Sequence, residues 1–331
     1  MMHFIPDKIQ VKTGNKLIAV LRQEAANKLD LHLGDRILVK NGKHSAIAIL
    51  EISQNDLKES RIGLLSELYK KLHTKRGDRI IVSAAPKPLS LTAIRSKLDG
   101  VELTKKEIDQ IVKDIVADNL SDIEMTYFVA ACFNNGMSDK ETVALTQSIV
   151  ENGSHLSFPN KIVVDKHCIG GVPGNRTTML IVPIVTAAGL IMPKTSSRAI
   201  TSPAGTADTV ETLCNVTIPA ERLMQIIKKV GGFMIWGGSV DLAAADDRMI
   251  RVRHPMNLDP EEMLLASIMA KKKSVGATHV LIDIPIGPQV KTPSMAQAEH
   301  LKEKFEKIGK MLGMNVHVLI TDGTQPIGKG I

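Results

Sequence analysis

Asp165-Lys166-His167-Cys168-Ile169-Gly170-Gly171-Val172-Pro173-Gly174-Asn175-Arg176-Thr177-Thr178 joins a short apolar strand, read at residues 162–164, to an apolar stretch read as a buried helix. Glycines let the backbone approach a ligand, and the helix start adds free N–H groups and a positive dipole end, so the junction can hold phosphate. Lys166 supplies a countercharge and Thr178 a hydroxyl. A plain tight turn explains the two glycines. It does not explain Lys, His, Asn and Thr in the same loop. Downstream, strand patterns at 233–236, 279–284 and 316–320 alternate with helical patterns at 203–214, 221–230, 260–274 and 294–312. That alternation predicts a largely parallel sheet with ligands beyond the carboxyl ends of its strands.

A second polar segment follows, Lys194-Thr195-Ser196-Ser197-Arg198-Ala199-Ile200-Thr201-Ser202-Pro203-Ala204-Gly205-Thr206-Ala207-Asp208. Ser202 before Pro203 reads as a helix cap and first helical position. A cap accounts for those two residues but not for the Ser-Ser-Arg cluster before them. The segment is a second junction suited to an anion, and one phosphate is expected between Lys166, Thr178, Ser196 and Thr206.

Upstream, Thr104/Glu107, Ser121/Glu124 and Ser138/Glu141 repeat the capping-box spacing, with Gly136 and Gly153 as stops. With a short helix near 91–98 they predict a compact helical unit. Before it, Gly34-Asp35-Arg36-Ile37-Leu38-Val39 recurs 43 residues on as Gly77-Asp78-Arg79-Ile80-Ile81-Val82. Two similar β halves suggest a small pseudo-symmetric barrel, ended by the proline-rich linker 84–88.

The 331 residues carry a net charge of +7, and residues 1–85 hold 15 basic against 9 acidic side chains. The basicity therefore belongs to the N-terminal module, where it reads as a solvated surface or a patch for an acidic partner. Aromatics at 3% argue against a base-stacking platform for single strands. Cys132, Cys168 and Cys214 share no CxxC spacing, which favours a reduced, cytoplasmic setting. The longest apolar run, 179–193, is shorter than the roughly 20 residues of a membrane span, and MMHFIPDK lacks an apolar signal region. No HExxH, CxxC or acidic cluster suggests a metal.

Taken together, DKHxxGGV followed by an S-x-R loop ending in GTxD resembles the nucleoside phosphorylase family that contains thymidine phosphorylase and pyrimidine-nucleoside phosphorylase. IGGVPGN and SSRAITSPAGTAD resemble its AMP phosphorylase-like branch. The likeness covers roughly 88–331, and the extra N-terminal module fits that branch. It implies an α/β domain with a helical domain, of nucleoside phosphorylase/phosphoribosyltransferase type, behind a small barrel-like domain. The expected division is 1–85 for the barrel, 88–157 plus 245–275 for the helical domain, and 158–244 plus 276–331 for the phosphate-binding domain.

By the same resemblance, Lys166, Cys168, Gly171, Thr178, Ser196, Ser197, Arg198, Ala199, Ile200, Thr201, Ser202 and Thr206 bind phosphate. Arg253, Ser267, Lys271 and Lys291 hold the base or substrate. His167 is an acid or hydrogen-bond donor near the base, and Asp259 is the proton donor of the AMP-cleaving enzymes. Ser267 and Lys271 are one helical turn apart and share a face, which a solvated helix would also explain. Asp259-Pro260 reads equally as a capped helix start. Cys168 replaces a family serine, and a thiol is the weaker donor.

The implied reaction is phosphorolysis of thymidine to thymine and 2-deoxyribose 1-phosphate, or of AMP to adenine and ribose 1,5-bisphosphate. Inorganic phosphate is a co-substrate and no cofactor is expected. A homo-oligomer is expected; a membrane or nucleic-acid partner is not. The different-class alternative is a nucleotide-sensing or nucleic-acid-binding module, and a related-fold alternative is magnesium-dependent phosphoribosyl transfer. The chain stops in a glycine-rich loop soon after 316–320, where the family continues, so an incomplete α/β domain and weak activity are expected.

Overall fold

The computed structural model describes residues 1–13, 16–54, 57–159, 161–170, 172, 176–196, 198, 205–240, 242–256 and 258–326. The chain divides at Pro88/Leu89 into two compact units.

The first unit is a closed six-stranded barrel. Its strands are β1 (Met2–Ile9), β2 (Ile18–Arg22), β3 (Arg36–Asn41), β4 (His44–Ser53), β5 (Arg61–Leu65) and β6 (Ile80–Ala84), in the order β1-β5-β2-β4-β3-β6. Short helices α1 (Gln23–Lys28) and α2 (Ser66–Lys71) follow β2 and β5. The 43-residue echo is structural. β1 pairs parallel with β5, and its counterpart β4 pairs parallel with β2. Asp35 accepts the His32 N–H at 2.7 Å, and Asp78 accepts the Lys75 N–H at 2.8 Å, the same turn twice. Gly34 and Gly77 sit at φ 83° and 93° in those turns, where a side chain would be strained. Phe4, Leu21, Ile37, Leu50, Ile62 and Ile80 fill the interior.

The second unit opens with α3 (Ser90–Leu98), α4 (Lys105–Val116), α5 (Asp122–Asn135) and α6 (Asp139–Glu151). Thr104, Ser121 and Ser138 each close a reciprocal capping box with the glutamate three residues on. Then come β7 (Val164–Cys168), α7 (Thr177–Ala187), β8 (Met192–Ser196), α8 (Thr206–Glu211), α9 (Ala220–Val230), β9 (Gly232–Trp236), α10 (Ala244–Arg253), α11 (Glu261–Ser274), β10 (His279–Ile286), α12 (Met295–Met311) and β11 (Asn315–Asp322).

β11, β10 and β7 form one parallel sheet, and β8 pairs parallel with β9. The Val164 N–H donates to the Ile191 carbonyl at 2.8 Å and bridges the two. The chain thus runs from β7 to β8 and β9 on one side, then returns to β10 and β11 on the other. Such a reversal opens a crevice at the carboxyl ends of the strands flanking it.

Two cores meet at α11. Met263, Ala266 and Ala270 pack with α4, α5 and α6, while Leu265, Ile268 and Met269 pack with the sheet residues Phe233, Ile235, Val280 and Ile282. One helix therefore carries side chains from the helical layer to the crevice. α7 differs from the buried helix expected of its composition: Val182 is buried, but Leu180 and Ile184 are 67% and 66% exposed. An all-apolar helix shows no periodic face in sequence, so only packing reveals which side is covered.

Candidate active site

β7 carries Asp165, Lys166, His167 and Cys168 within the sheet, where the sequence placed them in a loop. Parallel pairing with His279–Asp283 of β10 satisfies their backbone whatever their side chains. Burial of the charge is met from α11: Lys272 Nζ donates to Asp165 Oδ2 at 2.7 Å. Lys166 is buried, and its Nζ donates to Thr177 Oγ1 at 2.5 Å. Burial pulls its ammonium below the ordinary lysine value.

Beside it lies a hollow of about 170 Å³, partly open to solvent, lined by Thr178, Lys194, Ser196 and Thr206 over an apolar floor that includes Val210, Val216 and Ile235. Three residues expected at a shared phosphate thus line one cavity. The fourth, Lys166, is held by the neighbouring Thr177, and Lys194 is the cation lining the hollow. Lys194 is 5% exposed, and its ammonium donates to the Thr195 carbonyl. Burial first, then the nearby Lys272, lowers it from 10.5 to about 7.

His167 is half-buried. Desolvation, followed by the charges of Lys272, Lys194, Lys271 and Lys166, pushes it well below the ordinary histidine range. It is therefore neutral at pH 7, able to donate one hydrogen bond but not to act as an imidazolium acid.

Two expected phosphate ligands are differently employed. The Arg198 guanidinium pairs with Glu211 at 2.6 Å and Asp208 at 3.0 Å, and stacks 4.9 Å from the Trp236 ring centroid. Its charge is balanced by two carboxylates, so it braces α8. The Cys168 thiol bonds to Asp283, its register partner, and burial with that carboxylate pushes it up to about 11. Its one proton is thereby committed to Asp283. Gly171, Ser197, Ala199, Ile200, Thr201 and Ser202 lie outside the described residues, as does the helix start expected at Ser202-Pro203. The described helix begins at Thr206, capped by Gly205.

Among the residues expected to hold the base, Ser267 Oγ and Lys271 Nζ both donate to Asp246 Oδ2 at 2.6 Å, and Lys271 reaches Ser267 Oγ at 3.1 Å. Asp246 is buried. Ser267 and Lys271 therefore face a built polar cluster, and the solvated-helix alternative falls. Arg253 Nη1 lies 3.2 Å from Asp259 Oδ1. Asp259 does not cap α11, whose N-cap is Pro260; its carboxylate is turned to Arg253. Lys291 is exposed, in the turn after β10.

Residues 91–153 match the helical bundle domain, and residues 160–259 the a/b domain, of the glycosyl transferase family. AMP phosphorylase 1 of Archaeoglobus fulgidus is 43% identical over 330 residues, covering 100% of this chain and 65% of that protein. A Legionella pneumophila protein named "Putative thymidine phosphorylase" is 43% identical over 97% of this chain and 63% of its own length. The AMP phosphorylase of Methanococcoides burtonii is 43% identical over 98% and 63%.

The chain is similar to the nucleoside phosphorylases that carry these glycosyl transferase domains, in the branch that includes the AMP phosphorylases. It spans just under two thirds of the length of these relatives. The crystal structure of anthranilate phosphoribosyltransferase from Thermus thermophilus shares the fold, with a TM-score of 0.58 over 72% of this chain and 68% of that one at 19% identity. Two residues of this candidate site were not singled out from the sequence. Asp246 sits in Ala245-Asp246-Asp247-Arg248, where nothing separates a buried carboxylate from a surface one. Lys194 lies amid Met192-Pro193-Lys194-Thr195, four residues that the structure buries, and a lysine at the end of the long apolar run was the available signal.

Proposed function

We propose that this chain supplies the phosphate and base subsites for phosphorolysis of a pyrimidine nucleoside, with thymidine and phosphate giving thymine and 2-deoxyribose 1-phosphate. The observation that carries the reading is the position of His167. It lies within the field of both the anion-side lysines, Lys166 and Lys194, and the base-side Lys271. A phosphate oxygen held on the Lys166 side attacks the anomeric carbon as the bond to the base nitrogen breaks. The bonding pair leaves with the base. Lys271, Ser267 and Arg253 bind the base, and neutral His167 donates one hydrogen bond to it. Positive charge on that side stabilises the departing anion through an oxocarbenium-like state.

The second reading is AMP and phosphate giving adenine and ribose 1,5-bisphosphate. It is favoured by Asp259, which stands beside Arg253 on the base side, and by the names of two relatives. Phosphate-dependent release of base from thymidine, uridine, cytidine and AMP tests both. Release from thymidine and uridine supports the first reading, and release from AMP alone supports the second. No release from any of the four, with or without magnesium, rejects phosphorolysis.

A further inference from the structure

The buried lysines around β7 outnumber the carboxylates that serve them. Lys272 is matched by Asp165 at 2.7 Å, and Lys271 by Asp246 at 2.6 Å. Asp283 is half-buried on the β10 side, where it takes the Cys168 thiol and the Thr321 hydroxyl, the latter at 2.6 Å. Lys194 forms no ion pair among the described residues. Its neighbours in charge are Lys272 and Lys166, which repel it, and Asp165, which Lys272 already holds. A nearly sealed ammonium without a counterion is costly to keep in a fold. Here it borders a hollow whose other polar walls are the hydroxyl residues Thr178, Ser196 and Thr206. Hydroxyls and an ammonium are the donors that an oxyanion accepts. Its floor is aliphatic, from Val210, Val216, Met234 and Ile235, and no aromatic ring that could stack on a base lines it.

We propose that Lys194 is a phosphate-binding residue, the missing counterion of which is a phosphate dianion or phosphate monoester seated in this hollow against Thr178, Ser196 and Thr206. The inference rests on the phosphorolysis reading for its place in a reaction, but its binding chemistry stands without it. Lys166 then contributes from the adjacent strand, so the group is held between two lysines. The chemistry is that of a phosphoryl group with at least three oxygens to share. Inorganic phosphate and the 5′-phosphate of a nucleotide both qualify.

Equilibrium dialysis of the full chain with radiolabelled inorganic phosphate tests this. Lys194→Met should weaken binding about tenfold or more, the loss expected of one charge-assisted contact, and Lys194→Arg should restore most of it. Displacement of the label by AMP but not by thymidine would place a nucleotide phosphate in the same hollow. Displacement by neither reserves it for inorganic phosphate; both results support the anion site. Should Lys194→Met fail to fold, nitrogen NMR of lysine-labelled wild type serves instead: saturating phosphate should raise the pKa of one buried ammonium. Unaltered affinity in Lys194→Met, no such rise, or no phosphate binding by the wild type overturns the proposal. Binding that depends on Lys194 without base release from any nucleoside leaves it standing and rejects the phosphorolysis reading.

Discussion

Lys272 on α11 and Asp165 on β7 form a 2.7 Å ion pair in which the side chains are 2% and 0% exposed. The pair ties the helix shared by both cores to the strand that carries Lys166 and His167. Removing one partner leaves the other charged and dry. Lys272→Met is expected to destabilise the unit by about 3–5 kcal/mol, read as a fall in urea midpoint. The double variant Lys272→Met/Asp165→Leu should recover much of that loss. A single variant as stable as the wild type would show that water reaches the pair.

Asp246 should act as a positioning residue for the base side. Asp246→Asn keeps its shape but removes the charge that draws Lys271 and Ser267 together. If the phosphorolysis reading holds, KM for the nucleoside should rise and kcat fall by about tenfold or more, the scale of one charge-assisted bond. The KM for phosphate should change less than threefold. Equal effects on both substrates would instead mark general loss of structure.

The cysteines should differ in reactivity. The Cys132 thiol is pushed up to about 12 and Cys168 to about 11, both chiefly by burial, whereas Cys214 is exposed. Since the thiolate is the reacting form, iodoacetamide at pH 8 should label Cys214 first. Mass spectrometry of the time course decides it, and early labelling of Cys168 would contradict its bond to Asp283.

Stability of the phosphate-free protein should rise with pH over two windows. His167 is lowered well below 6.5, so below that value the unfolded chain takes up a proton that the folded chain refuses, and stability falls. Lys194 is lowered from 10.5 to about 7. Between those values the unfolded chain again holds the extra proton, so stability climbs as pH rises through them. Lys194→Met should make the upper window shallower, leaving the share of Lys166, whose ammonium burial also lowers, and should leave the lower one unchanged. Thermal unfolding midpoints from pH 5 to 10 give the comparison, and an unchanged upper slope in the variant would remove Lys194 as its source.

The helical layer depends on local caps that can be tested singly. Ser121→Ala and Ser138→Ala should each cost about 1 kcal/mol, because each hydroxyl accepts the N–H of the third helical residue at 3.2 Å. Ser138→Ala should cost the more. Its partner Glu141 also receives Lys97 Nζ at 2.7 Å and the Leu103 N–H at 2.9 Å, in a buried cluster. Urea midpoints of the two variants give the comparison, and equal losses would show that the buried cluster holds Glu141 without the cap.

Local chemistry was enough to determine the capping boxes of α4, α5 and α6, the doubled Gly-Asp turn of the barrel, and the alternation of strands and helices from β7 onward. Each of these is set by neighbours a few residues apart, through a hydroxyl and a backbone N–H, a glycine at positive φ, or a run of apolar side chains. Ser267 and Lys271 were legible as a pair for the same reason, being one helical turn apart. Only the folded chain decided what those residues face. Asp246 lies 25 residues before Lys271 in sequence and 2.6 Å from it in space. Lys194 became notable once β8 was buried beside β7 without a carboxylate for it. Arg198 and Cys168 carry the side chains of anion ligands, yet Glu211, Asp208 and Asp283 claim them first. Which charges are paired and which are left over is a property of packing, since a low dielectric magnifies every partner that tertiary contacts bring near and says nothing of order along the chain.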